Sequence, residues 1–335
     1  MALKEFSFGL LAGNSLPDIV RLASRAESLG FGTLWVAEDY FYGGAFATAT
    51  ACVAATRTMR VGIGVINPYT RHPCLTAMEA GALDAASGGR LVLGVGASNR
   101  RWMEEMQGIP FQKPVAAIGE MVEIVRRLLA GERLSYAGQV FRVRDVELGF
   151  TPLRDRLPIH LGVKGPRMLE LAGRIADGVL LSVLSSPAYV RWAVDQIRRG
   201  ARQEGRTIDS DYEVGVYLLI YPSRDRQRAR EAVRPAIAKY LGLHGEHPIM
   251  LESGLTPGEI APFRKAFLAG EDASHRVDDR LIDLFSVAGT PEECAERLQW
   301  WIDAGVTHIV AFEVPGVDAE TVMSAIARDL IPKVL

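Results

Sequence analysis

The segment RVGIGVINPYTRHP, residues 60–73, joins an apolar run to a dense group of polar and ring side chains. Residues 61–66 have the near-continuous apolar character of a strand that is buried on both faces. Asn67 is followed by proline, a pair that is typical of a turn. Gly62 and Gly64 are poor strand formers, and tight packing inside a sheet is one reason for them. We therefore predict a buried strand that ends in an unusual polar loop.

Seven further apolar runs share this character, and amphipathic helical patterns separate them. These runs lie at residues 6–12, 33–37, 91–96, 158–163, 178–183, 214–220 and 307–314. Such runs are typical of parallel strands that helices cover on both faces. Eight strands close a (β/α)8 barrel, so we predict an α/β protein with this TIM barrel fold. An open doubly wound sheet is the alternative, although the turn at residues 12–15 lacks G-x-G-x-x-G.

Capping patterns support the helices of this alternation. Ser15 and Asp18 form an S-x-x-D start, and Thr290-Pro291-Glu292-Glu293 places a capping box at the last long helix. Apolar spacing predicts further helices at residues 45–56 and 115–130.

One segment breaks the regular alternation. Residues 243–280 are rich in Gly, Pro, His and acidic side chains, which suggests an irregular excursion or lid. We predict a single barrel domain over residues 1–335, with this insertion before the last helix–strand unit.

Composition excludes several classes of partner. A formal charge of −2 gives no electrostatic reason to expect nucleic acid or a membrane surface. The longest uncharged run, residues 40–56, is too short and too mixed to span a bilayer. Three scattered cysteines predict neither a disulfide framework nor a metal site, and no signal peptide precedes the first strand. We expect a cytoplasmic protein that binds a small-molecule substrate and forms a homo-oligomer, such as a dimer.

The chemistry of a barrel lies where its strands end, at the C-terminal face. The polar residues that follow the predicted strands are Asp39, Tyr40, Asn67, Tyr69, Arg71, His72, Ser98, Asn99, Lys164, Arg167, Ser182, Ser185 and Ser186. This set contains no metal-binding constellation. His244 and His247 would need further ligands to hold a metal, and we expect them in a solvated loop.

The junction after the fifth strand is the clearest candidate site among these. Gly165 allows close backbone approach, and Pro166 begins a helix whose free N–H groups can bind a phosphate, aided by Lys164 or Arg167. A simple Gly-Pro turn is the alternative interpretation. Lys164 also admits a Schiff-base hypothesis, because a desolvated lysine at a strand end can act as a nucleophile.

The chain resembles the bacterial-luciferase-like flavin and deazaflavin oxidoreductases along almost its whole length. Within this family it is most similar to the methylenetetrahydromethanopterin reductases and their relatives that use coenzyme F420. The likeness rests on the order and spacing of six segments, SLGFGTLWVAEDY, VGIGVINPYTRHP, GRLVLGVGAS, FQKPVAAIGEMVEIVRRLL, GVKGPRMLELAGRIADGVLLS and GTPEECAERLQWWIDAGVTHIV.

The resemblance implies a use for the glycines of the third strand. In this family that strand ends in a bulge with a non-prolyl cis peptide, on which the flat cofactor ring rests. Here the bulge would fall at Gly64-Val65, with Val65 behind the ring and Asn67 bonded to its polar edge. Asp39 would lie near the ring or substrate and is the candidate catalytic group for steering protonation there. The resemblance further implies that Ala97 and Ser98 lie beside the cofactor tail, and that the backbone of Lys164, Gly165 and Pro166 surrounds the phosphate. Val163 is a further candidate cofactor-binding residue.

One departure concerns the substrate. Reductases that act on methylenetetrahydromethanopterin carry a glutamate on the first strand, but residues 6–11 contain no carboxylate and Glu5 lies too early. The resemblance therefore implies hydride transfer between coenzyme F420 and a small organic substrate, without identifying that substrate. An FMN-dependent luciferase-like monooxygenase is one alternative, and a non-catalytic flavin-binding relative is another.

Overall fold

Eight parallel strands close into a barrel in the computed structural model, which describes residues 2–208 and 211–335. The strands are β1 (Glu5–Leu10), β2 (Thr33–Val36), β3 (Arg60–Ile66), β4 (Leu91–Gly96), β5 (Leu134–Ala137), β6 (Arg142–Val146), β7 (Ile159–Gly162), β8 (Gly178–Leu181), β9 (Glu213–Pro222), β10 (Ser286–Gly289) and β11 (His308–Phe312). Around the barrel the order is β1-β2-β3-β4-β7-β8-β9-β11, and β11 returns to β1. The predicted TIM barrel and all eight of its strands are confirmed.

Helices cover the outside of the barrel and follow its strands along the chain. They are α1 (Leu16–Ser28), α2 (Ala45–Ala55), α3 (Pro73–Ser87), α4 (Pro114–Leu129), α5 (Pro166–Ile175), α6 (Pro187–Gln203), α7 (Arg226–His244), α8 (Pro248–Leu251), α9 (Pro257–Ala269), α10 (Asp279–Phe285), α11 (Pro291–Asp303), α12 (Ala319–Asp329) and α13 (Ile331–Val334). The capping box at Thr290 is present as predicted, with both of its hydrogen bonds. No helix in the described ranges is long and apolar enough to cross a membrane.

Three features differ from the prediction. An antiparallel hairpin, β5–β6, lies between the fourth and fifth barrel strands, and β10 adds a short ninth strand beside the end of β9. The segment 243–280, expected to be irregular, is largely helical. Its helix α9 begins with the same Thr-Pro-x-Glu capping box that marks α11, at Thr256 and Glu259.

A partly buried ion-pair network closes the N-terminal end of the barrel. Arg60 at the start of β3 pairs with Glu5 of β1 and Glu213 of β9, each at 2.9 Å. His160 of β7 approaches Glu213 at 3.2 Å. Burial alone would raise the pKa of Glu213, but its neighbours His160, His308 and Arg60 hold it well below its ordinary value. Glu5 is thus tied to the end opposite the one where barrel enzymes carry out chemistry.

Candidate functional site

A cavity of about 250 Å³ opens at the carboxyl ends of the barrel strands. Most of its wall is apolar or aromatic, including Trp35 of β2 and Phe312 of β11. The residues with polar or ionisable groups that line it are Trp35, Asp39, Lys164, Ser182, Tyr217 and Tyr240. Among the described residues, Asp39 is the one carboxylate and Lys164 the one cation in this wall. An apolar pocket with a few convergent polar groups is the usual form of a small-molecule site.

The bulge predicted at Gly64-Val65 is confirmed, because this peptide bond is cis and the pairing of β3 with β4 shifts register between Ile63 and Ile66. Both residues line the cavity. The Val65 side chain lies over two glycines of the neighbouring strands. A methyl group built at Gly96 would lie 2.6 Å from Val65 Cγ2, and one built at Gly162 would lie 2.7 Å from Val65 Cγ1. These glycines therefore make room for Val65 below the cavity.

Tyr217, in the middle of β9, is a cavity residue that the sequence analysis missed. Its ring lies between the backbones of Gly9 and Gly64, where added methyl groups would stand 2.8 Å from its Cε1 and 2.5 Å from its hydroxyl oxygen. It also packs edge-on against Phe312, with ring centroids 5.6 Å apart. A tyrosine inside an otherwise apolar strand was the feature that could have revealed it.

Asp39 follows β2 and lies in the cavity wall, as expected of the candidate catalytic group. Burial raises the pKa of its carboxyl group above the ordinary value, and the charge of Lys239 partly opposes this shift. Burial, together with the nearby Asp39 charge, raises the pKa of Tyr217 and raises the pKa of Tyr240 to about 12. Both phenols are therefore neutral hydrogen-bond donors near neutral pH. A second cis peptide, Tyr40-Phe41, immediately follows Asp39 and was not predicted.

Asn67 is brought close to the site but does not line the cavity. Its side-chain oxygen accepts hydrogen bonds from the backbone N–H groups of Tyr69 and Thr70, at 3.0 and 3.1 Å. Its amide nitrogen donates to the Tyr40 hydroxyl group. The side chain thus shapes the loop that follows β3, and its contact with a cofactor stays a prediction.

Ala97 and Ser98 follow β4 and also lie outside the cavity lining. Ser98 has a left-handed backbone, with φ of 62°, and its buried hydroxyl oxygen has no hydrogen-bond partner among the described residues. An unsatisfied buried hydroxyl group is costly, so a ligand group that paired with it would gain stability.

The helix start predicted to bind phosphate adjoins the cavity. Val163 and Lys164 line the cavity, whereas Gly165 and Pro166 line the upper end of an open groove of about 1270 Å³ between α4 and α5. No side chain caps α5, and a methyl group built at Gly165 would have His247 Nε2, at 3.9 Å, as its nearest neighbour. The groove is the larger space, but it lacks Asp39 and the bulge, so the cavity is the candidate site.

His244 and His247 do not lie in a solvated loop as expected. His244 ends α7 and is 9% exposed, and His247 caps α8 by accepting a hydrogen bond from Ile249 N–H. His244 Nε2 lies 3.0 Å from the Val183 carbonyl oxygen, and its Nδ1 lies 3.1 Å from Lys164 Nζ. Burial lowers the pKa of His244 to about 3 and that of His247 to about 4. The described residues contain no group of three or more metal-binding side chains.

Comparisons with known proteins place the chain in a family. A family model described as luciferase-like monooxygenase matches residues 1–308, so the chain belongs to this family. A 5,10-methylenetetrahydromethanopterin reductase from Archaeoglobus fulgidus is 35% identical over 92% of this chain and 93% of its own. A putative coenzyme F420-dependent oxidoreductase from Mycobacterium tuberculosis is 30% identical over 86% and 88%. The solved coenzyme F420-dependent tetrahydromethanopterin reductase from Methanopyrus kandleri superposes with a TM-score of 0.92 over the full length of both chains, at 28% identity. The resemblance inferred from the sequence is thereby confirmed.

Proposed function

We propose that this chain is an oxidoreductase that transfers a hydride between coenzyme F420 and a small organic substrate. The support is a set of relatives, named as F420-dependent enzymes and methylenetetrahydromethanopterin reductases, that match nearly the whole chain. The observation that carries the proposal is the Gly64-Val65 bulge, which meets Asp39 in the wall of one cavity at the C-terminal end of the barrel.

The residues present fit a deazaflavin cofactor. The cavity is smaller than the roughly 300–1,000 Å³ of typical ligand pockets. It would therefore hold the flat ring system of the cofactor, while the cofactor tail and the substrate would lie at its mouth. Gly64 and Val65 would lie against the ring, and Asp39 would hold or release a proton beside it. The uncapped start of α5, from Val163 to Pro166, would bind the phosphate, and the unpaired Ser98 hydroxyl group would face the tail. When bound, the deazaflavin supplies the hydride and reacts little with oxygen.

The substrate need not be that of the reductases. Glu5, the carboxylate nearest to the first strand's missing glutamate in sequence, pairs with Arg60 at the opposite end of the barrel. Glu313, which follows β11, is buried beside the first βα turn, but it accepts hydrogen bonds from Leu11 N–H and the Asn14 amide. It therefore holds that turn in place. We propose a small organic substrate whose chemistry depends on Asp39 rather than on a first-strand glutamate.

We also propose that the protein is cytoplasmic and that it forms a homo-oligomer. The described cysteines, Cys52, Cys74 and Cys294, are all free thiols, which suits a reducing compartment. Leu75 and Met78 of α3 are 54% and 47% exposed and lie on one face of that helix, which suits contact with a second copy. We retain one barrel domain over residues 1–335, with residues 243–280 as its insertion or lid.

Titration of the purified protein with coenzyme F420 and with FMN, followed by ligand fluorescence, tests the proposal. We expect saturable binding of coenzyme F420 in the nanomolar-to-micromolar range and much weaker binding of FMN. Tighter binding of FMN would favour the monooxygenase alternative. Binding of coenzyme F420 without hydride transfer to any of a panel of carbonyl and imine substrates would favour the non-catalytic relative.

Substitution of Gly165 by valine tests the phosphate site. The added side chain has open space around it, so folding should be unaffected, but it would block approach to the N–H groups at the start of α5. Each lost charge-assisted hydrogen bond costs about 1.5–3 kcal/mol, so the affinity for coenzyme F420 should fall by roughly tenfold or more. Affinity and melting temperature are measured on the same preparation. Wild-type affinity with unchanged melting would place the phosphate elsewhere.

A further inference from the structure

Both the side chain and the backbone of Lys164 take part in this site. Its side chain lines the cavity, and its carbonyl oxygen accepts a hydrogen bond from the Tyr189 hydroxyl group at 2.8 Å. Tyr189 is fully buried in α6, so this bond fixes the point from which the lysine side chain extends.

The partner of the Lys164 ammonium group is a neutral histidine. His244 Nε2 donates to the Val183 carbonyl oxygen, which has no proton of its own to offer. The proton of the neutral ring is therefore on Nε2, and Nδ1 is left to accept from Lys164 Nζ at 3.1 Å. His244 thus aims the ammonium group without neutralising its charge.

No carboxylate among the described residues pairs with Lys164, so its positive charge is uncompensated by them. Burial lowers the pKa of Lys164 to about 8, with no carboxylate contributing in the other direction. Asp39 lies in the wall of the same cavity, but the cation that acts on it is Lys239. A desolvated cation without a counter-charge is unfavourable, and an anionic group placed in the cavity would relieve that cost.

Building on the proposed function, we propose that Lys164 Nζ, positioned by His244, binds the cofactor ring in an anionic form and thereby selects a deazaflavin over an oxidised flavin. Oxidised coenzyme F420 carries a phenolic hydroxyl group on its ring, which can ionise to a phenolate. The ring of oxidised FMN has no such hydroxyl group and is neutral near pH 7. One cation in the cavity wall is sufficient to distinguish them.

The proposal has a definite pH dependence. The groups that face Lys164 are His244 and His247 from the insertion, with Asp39, Tyr217 and Tyr240 in the cavity wall. Both histidines are already neutral at pH 7, since their pKa values lie near 3 and 4. The pKa values of the two phenols are raised, so neither loses its proton near pH 8. The affinity for the phenolate should therefore fall as Lys164 loses its proton, above about pH 8.

The test uses coenzyme F420 itself and needs no turnover. Affinity and the visible absorbance band of the bound phenolate are measured between pH 6 and 10 for wild type, Lys164→Met, Lys164→Arg and the surface control Lys265→Met. In wild type we expect the phenol of the bound ring to ionise at lower pH than in free cofactor. Lys164→Met should lose this shift together with about 10- to 100-fold in affinity at pH 7, the scale of one charge-assisted hydrogen bond. Lys164→Arg should keep the shift and lose the decline above pH 8, because arginine stays charged.

His244 is tested as a positioning residue in the same assay. His244→Asn keeps an acceptor near the place of Nδ1 and should retain most of the phenolate shift, whereas His244→Leu should lose it. If wild type binds coenzyme F420 but Lys164→Met keeps its phenolate spectrum, with or without a loss of affinity, the binding of the anionic ring by Lys164 is overturned and the proposed function stands. If wild type does not bind coenzyme F420, both are overturned.

Discussion

Replacement of Asp39 by asparagine should lower kcat by about 10²–10⁴-fold, the usual contribution of a positioned acid or base. Asp39 is the one carboxylate in the described cavity wall, and asparagine has its shape but cannot exchange a proton. Burial raises the pKa of Asp39, so its protonated form persists to higher pH than that of a free aspartate. If Asp39 donates a proton, wild-type turnover should decline as pH rises through this raised pKa, and the variant should lack that decline.

Turnover is assayed with reduced coenzyme F420, first with methylenetetrahydromethanopterin and then with a panel of carbonyl and imine compounds. Affinity for the cofactor should be retained in the variant, since in the proposed arrangement the ring rests on the bulge and not on the carboxylate. Asp195→Asn is the matched control, because Asp195 is exposed on α6 and does not line the cavity. Equal kcat values for Asp39→Asn and wild type would remove Asp39 from the catalytic role.

Replacement of Gly64 by alanine should lower cofactor affinity and turnover together, by about a hundredfold in rate. The new methyl group would stand 2.5 Å from the Tyr217 hydroxyl oxygen and 3.1 Å from the Trp35 ring. Tyr217 cannot move back freely, because Gly9 already touches the other side of its ring. The tyrosine must therefore shift into the cavity by a distance on the order of an ångström, and such displacements can cost about 10²-fold.

Some stability should be lost as well, about 1–3 kcal/mol for overpacking. Gly149→Ala is the matched control, since an added methyl group there meets no atom within 4 Å. Thermal melting and cofactor titration on the same samples separate the two effects. A Gly64→Ala protein that melts lower but binds coenzyme F420 as wild type does would show that Gly64 serves packing alone.

The barrel could be predicted because its strands are buried on both faces. Such strands read as continuous apolar runs, and all eight runs correspond to barrel strands. The hairpin β5–β6 has alternating buried and exposed residues within only four and five positions, so it forms no run. β10 directly follows α10, so no turn signal separates its apolar residues from those of the helix. The composition of the insertion did not predict its helices, because Pro and Gly are the least favourable residues within a helix. The capping box at Thr256 was the available indication of α9.

The site was only partly predictable from the sequence. Asp39 and Lys164 were predicted because each follows a barrel strand, where barrel sites occur, whereas Gly64 and Val65 were predicted from the family resemblance. Tyr240 and His244 lie on α7, and tertiary packing brings Tyr240 into the cavity wall and His244 against Lys164. No local sequence pattern predicts the contact between His244 and Lys164, because the two residues are eighty positions apart. Contacts of this range depend on the closed fold.

The charges of the ion-pair network around Arg60 and the charges of the cavity lie at opposite ends of the barrel and interact only weakly. Arg60 is paired in register with Thr33 of β2, and Asp39 lies six residues beyond Thr33, so the network and the cavity carboxylate are separated by up to roughly 20 Å at about 3.3 Å per residue. Two unit charges at that distance interact by less than about 1 kcal/mol at an effective dielectric constant of 20. The loops at the cavity can thus gain or lose charge, and so adapt to a different substrate, without destabilising the ion-pair network at the N-terminal end of the barrel.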